Sequence, residues 1–107
     1  MSRESLGHFE LLVLLALMRQ GDEAYGVPIA REIERSTGKP VIFASVYNTL
    51  ERLEEKGLIR SAVGQPTPER GGRAKRYFSI TAAGLREVRA AKKALTILWR
   101  GIPVHEG

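Results

Sequence analysis

A chain of 107 residues supports one small domain with one modest core. It contains no cysteine, which excludes disulfides, thiolate metal sites and a cysteine nucleophile. The net charge of +5 is uneven: residues 1–56 hold 7 Lys/Arg against 9 Asp/Glu (−2), and residues 57–107 hold 10 against 3 (+7). Such a basic half suits either a polyanionic partner or a merely solvated surface.

In chain order, Ser5 can cap a first helix running to about Gln20. Its centre, LLVLLALM, is apolar on every side. One side can pack on the domain core, and the other side needs a second partner. Self-association through Leu11, Leu12 and Leu15 is the expectation. This run, Leu11 to Met18, is too short for a bilayer, which takes about 20 residues. Its flanks lack the features of a signal peptide, so a cytoplasmic protein is expected, with no membrane partner. A second helix runs from near Tyr25 to Ser36, with Pro28 in its first turn, and Gly38 and Pro40 break it. Val41 to Phe43 reads as a short extended segment.

The stretch ASVYNTLERLEEKGLIR, from Ala44, predicts a third helix stopped by Gly57. At about 100° per residue, Val46, Leu50 and Leu53 share one side. Ser45, Asn48, Thr49, Arg52 and Lys56 share the opposite side, with Glu51 and Glu54 falling away from it. Short hydrogen-bonding side chains allow close approach to a partner. Asn can bond adenine, Arg guanine, and Ser or Thr either bases or phosphates, whereas acids there would repel phosphate.

LIRSAV and AKRYFSI then read as two short strands around GQPTPERGGR, an exposed hairpin tip rich in Pro and Gly. Arg70, Arg73, Lys75 and Arg76 fall within seven residues beside one acid, Glu69. Such a loop can straddle a phosphate strand or enter a minor groove. Thr81 caps a last helix whose apolar stripe contains Leu85, Val88, Ala91, Leu95, Leu98, Trp99 and Ile102. The order is mainly α with a small β-hairpin: a winged helix-turn-helix of three helices and a two-stranded wing, followed by a C-terminal helix.

Three groups of residues carry a resemblance: Tyr25–Gly26, ASVYNTLERLEEKGLI, and GGRAKRYFSITAAG from Gly71 to Gly84. Together they resemble the PadR family of winged helix-turn-helix transcriptional regulators, here of a short-chain type, over about residues 6–90. Ala44, Ser45 and Val46 stand where Gly, Thr and Leu are usual in that family, and Asn48 replaces its Pro. The resemblance implies a homodimeric repressor bound to pseudo-palindromic sites on double-stranded DNA and released by a ligand or other signal. Residues 1–80 would form the DNA-binding domain, and 81–107 a dimerisation helix and tail. Tyr25 and Tyr47 would lie near the DNA backbone, packing between helices being the alternative for both. Leu11, Leu12, Leu15, Leu95, Leu98 and Trp99 would form the dimer interface. Trp99 is also the one candidate contact for a planar effector.

An enzyme is not expected. His8 and His105 stand in no catalytic or metal-ligand spacing, and no cofactor or metal is implied. The rival reading is a winged helix used for protein–protein contact without specific DNA binding.

Overall fold

A computed structural model describes residues 6–21, 24–64 and 75–103. The elements are α1 (His8–Gln20), α2 (Gly26–Thr37), α3 (Phe43–Glu55), β1 (Ile59–Val63), β2 (Arg76–Ile80) and α4 (Ala82–Trp99). The expected tip of the hairpin, including Arg70 and Arg73, lies outside the described residues, as do Ser5 and His105.

The helix ends follow from local chemistry. Gly7, not Ser5, precedes α1, and its N–H donates to Glu10 Oε1 at 2.8 Å. This acid in the first turn also complements the helix dipole. Gly38 ends α2 in the left-handed region (φ 73°), where its N–H bonds the Glu34 carbonyl. Val41 and Ile42 form no strand, and α3 starts immediately after them. Thr81 caps α4 as its side chain accepts from the Gly84 N–H at 3.1 Å.

The two strands pair antiparallel, with Ile59 opposite Ile80 and Ser61 opposite Phe78. The Phe78 N–H also donates to the Ala24 carbonyl at 2.7 Å, tying the segment before α2 to the wing. Alternation turns Phe78 inward and sets Tyr77 and Ser79 on the opposite face, while Arg76, at the strand's exposed start, lies over the Phe78 ring at 5.3 Å. The core gathers Val13, Leu14 and Leu17 from α1, Ile29 and Ile33 from α2, and Val46, Leu50 and Leu53 from α3. Ile59, Phe78 and Val88 close it from the wing and α4. Burying a side chain of this size contributes about 1.5–3 kcal/mol each.

The two helices expected to mediate self-association behave differently. In α1, Leu11 and Leu12 are half-buried against the core, while Leu15 and Met18 are exposed. In α4, Gly84 and Val88 are the buried residues. The apolar stripe then runs past the end of the domain: Leu98 is 71% and Trp99 67% exposed, with Leu95 and Ile102 also open. Among the described residues no helix is long and apolar enough to cross a membrane.

Candidate nucleic-acid interface

The face that α3 presents is set by what its other face buries. The buried positions are Val46, Thr49, Leu50 and Leu53, spaced i, i+3, i+4 and i+7. The expected polar stripe is therefore rotated. Thr49 is 2% exposed and lies on the core side, where it is in no position to meet a base edge. Arg52 is turned aside: its Nε donates to Glu10 Oε2 at 3.1 Å, and its Nη2 donates to Thr49 Oγ1 at 3.3 Å. The outward face consists of Ala44, Tyr47, Asn48, Glu51 and Glu55, with Ser45 half-buried at its edge. Asn48 keeps its predicted exposure. Glu51, expected to fall away from this face, stands on it one turn further along. Only the first two turns of α3 are thus free of acid.

The N-terminus of α3 is open. Ile42 precedes it with no side-chain cap, and its first turn holds no acid. The positive end of the helix dipole there favours an anion such as a phosphate, with the Ser45 N–H already bonded to the Ile42 carbonyl at 2.9 Å.

One tyrosine packs at this end and another at the base of the wing. The Tyr47 ring packs edge-on against Phe43, with centroids 4.9 Å apart. It also covers Gly26, at which a Cβ would lie 2.5 Å from the ring. Tyr47 thus packs between α2 and α3 while remaining partly exposed. Tyr25 meets Tyr77 edge-on at 5.6 Å, and the Lys75 ammonium stands 4.7 Å from the Tyr25 ring centroid. Lys75 is exposed and available at the base of the wing. Arg76 is not presented as a free wing cation. Its guanidinium donates to Glu54 Oε1 at 2.6 Å and to Ser61 Oγ at 3.1 Å, which fastens the wing to the C-terminal turn of α3.

Two buried carboxylates each gather two cations. Glu10 accepts from Gly7, Arg52 and Lys56, the last at 3.0 Å. Burial raises its pKa, but the bonds from Gly7, Lys56 and Arg52 outweigh this and hold the carboxyl below its ordinary value. Glu32 accepts from Arg35, Ser36 and Arg19, the last at 2.7 Å. The Arg35 hydrogen bond leads in depressing its pKa, which is also below the ordinary value. Sequence reasoning did not identify the Glu10 cluster, because Glu10 and Arg52 are 42 positions apart, whereas Arg35 and Ser36 at i+3 and i+4 from Glu32 were a local signal of the second. The rotation of α3 did have a signal. Thr49 completes the i, i+3, i+4, i+7 spacing of the apolar stripe, and only its hydroxyl made it look like a surface residue.

Three helices, a two-stranded hairpin and an outward-facing third helix define a winged helix-turn-helix, a class of DNA-binding fold. The description "Transcriptional regulator PadR-like family" matches residues 14–90, and the chain belongs to that family. It is accordingly a DNA-binding transcriptional regulator and not an enzyme. Solved structures agree on the fold. A PadR family transcription regulator from hypervirulent Clostridium difficile superposes with a TM-score of 0.70 at 24% identity, over 86% of this chain and 91% of that one. A PadR family transcriptional regulator from Eggerthella lenta gives 0.69 at 26% identity, over 88% and 77%. H. salinarum RosR gives 0.71 at 23% identity, over 94% and 83%. No curated protein matches the sequence.

Proposed function

We propose that the chain is a homodimeric repressor that reads a pseudo-palindromic operator with the first two turns of α3, grips the flanking backbone with its wing, and is released by a signal. It would work in the cytoplasm, where it meets DNA. Residues 1–80 would form the reading domain and 81–107 the dimerisation helix and tail, with the first turns of α4 also packed on the domain.

One observation carries the reading. The side of α4 that buries Val88 continues through Leu95, which borders a cleft with Leu6 and Leu11, to Leu98 and Trp99, which are largely exposed among the described residues. A second copy offers a matching surface, because Leu15 and Met18 of α1 are exposed as well. A two-fold pair would set two α3 helices on successive major-groove faces, about one helical turn or a multiple of it apart. A planar effector stacking on Trp99 would enter at this same seam, beside Leu95, Thr96 and Arg100, and shift the spacing of the two reading helices. Base contacts are assigned to Asn48 and Ser45. Backbone contacts are assigned to the α3 N-terminus, Tyr25, Tyr47 and Lys75, together with Arg70 and Arg73 of the hairpin.

Selection of bound fragments from genomic DNA, at two salt concentrations, tests the reading. The expected product is a family of sites with inverted half-sites at helical-turn spacing. Fragments with a single unpaired half-site, bound by a monomer, would reject it.

A further inference from the structure

Glu10 belongs to α1, yet it holds Arg52 of the reading helix and Lys56 at that helix's C-cap. Arg52 and Lys56 both close on its carboxylate, which is 8% exposed, while Arg52 itself is half exposed. Arg52 stands on the shoulder of α3, between the outward Asn48 and Glu51 and the buried Thr49. When a helix lies in a major groove, its outward face meets base edges and its shoulders meet the phosphate strands. A free cation at this position therefore adds affinity for any DNA and information about none. The same pattern recurs where no base is read: Glu32 collects Arg19 and Arg35 on the α1–α2 side, away from α3.

We infer that Glu10 is a specificity-determining residue that withholds Arg52 and Lys56 from the DNA backbone. Sequence-independent binding is almost wholly electrostatic, and discrimination is the difference between operator and random-sequence affinity. Holding two cations on a buried carboxylate lowers the second quantity without touching the first two turns of α3, which supply the base contacts. The inference rests on α3 being the reading helix.

The test compares variants of the full chain on a random-sequence duplex and on a fragment selected by the wild-type protein, each over a salt series. Glu10→Gln keeps the shape and removes the charge. Its random-duplex affinity should rise, and its log–log salt slope should steepen by about 0.9 for each cation released to phosphate. The ratio of selected to random affinity should fall. Adding Arg52→Gln to Glu10→Gln should reverse part of the steepening, an effect that loosened packing would not produce. Glu32→Gln, a carboxylate of similar burial that does not touch α3, should leave both slopes unchanged.

Arg52→Gln alone provides a second arm that does not depend on how Glu10→Gln folds. Its random-duplex slope should equal that of the wild type, because the cation is already withheld. A slope lower by about 0.9 would show Arg52 on a phosphate and overturn the inference. An unchanged slope in folded Glu10→Gln would overturn it equally. Asn48→Ala separates the two levels of the argument. If it weakens selected-fragment binding while Glu10→Gln leaves the slope unchanged, only the role of Glu10 falls. If it leaves selected-fragment binding intact, the reading of α3 falls and the role of Glu10 with it.

Discussion

Asn48 and Thr49 are neighbours in sequence with opposite surroundings, and the difference predicts opposite phenotypes. Asn48 faces outward within the acid-free turns, whereas Thr49 is sealed beneath Arg52. Asn48→Ala should remove about 1–3 kcal/mol of discrimination between operator and scrambled duplex, with little change in thermal stability. Thr49→Val should cost about 0.5–1.5 kcal/mol of stability through the lost hydroxyl bond and leave base preference unchanged. Paired binding and urea-unfolding measurements check both.

The buried carboxylates give a second prediction at the same scale. Glu10 and Glu32 have folded-state pKa values below their ordinary ones. The unfolded state therefore takes up protons first as pH falls, which favours unfolding. The stability they contribute is full at neutral pH. It begins to decline as pH drops through the ordinary glutamate range, about 4.3, and is gone below the depressed folded values. Urea midpoints measured from neutral pH downward should show this fall in the wild type. Glu10→Gln should show a shallower one, because one of the two titrating groups is absent.

At the scale of elements, the start of α4 makes a close contact of backbone with backbone. A Cβ on Gly84 would stand 2.1 Å from the Leu58 carbonyl oxygen, so α4 begins directly upon the segment that follows α3. Thr81 reinforces the junction by donating to the Gly57 carbonyl at 2.7 Å. Gly84→Ala must push the helix away from that backbone and should destabilise by about 1–3 kcal/mol or more. Gly26→Ala meets the far end of the Tyr47 ring instead, a side chain that can swing aside. It should cost less stability and alter the framing of α3. Thermal unfolding of the two variants side by side distinguishes them. Equal costs would mean that the α4 junction is softer than its geometry indicates.

For the whole molecule, stability should depend on concentration. A protomer whose last helix overhangs its own domain gains stability by mass action when a second copy covers the overhang. The thermal midpoint should rise with protein concentration. Leu98→Asp should abolish that dependence and yield a monomer in sedimentation, since a charge there would be buried unpaired in the pair. A midpoint independent of concentration in the wild type, together with a monomeric sedimentation profile, would leave the overhang without its proposed partner.

The order of elements, the glycine stops after α2 and α3, the Thr81 cap and the pairing of β1 with β2 were all legible in the sequence. The stops and the cap depend on residues within a few positions of one another, and the strand pairing on alternation in two short runs joined by one Gly/Pro-rich turn. The family was legible too, because its motifs combine such local signals over most of the domain. The rotation of α3 about its own axis depended on tertiary structure. That rotation follows from which neighbours fill the space between α1 and α2, and a threonine beside three aliphatic residues is buried once its hydroxyl finds Arg52. The allocation of charge was likewise tertiary. Arg52, Lys56 and Arg76 look like free cations along the chain, but folding brings Glu10 and Glu54 to them from distant positions. Sequence by itself determined what kind of protein this is; only the packing of α1 and the wing against α3 decided which side chains the reading helix presents, because ion pairing and burial act through space, across separations of 22 to 46 residues.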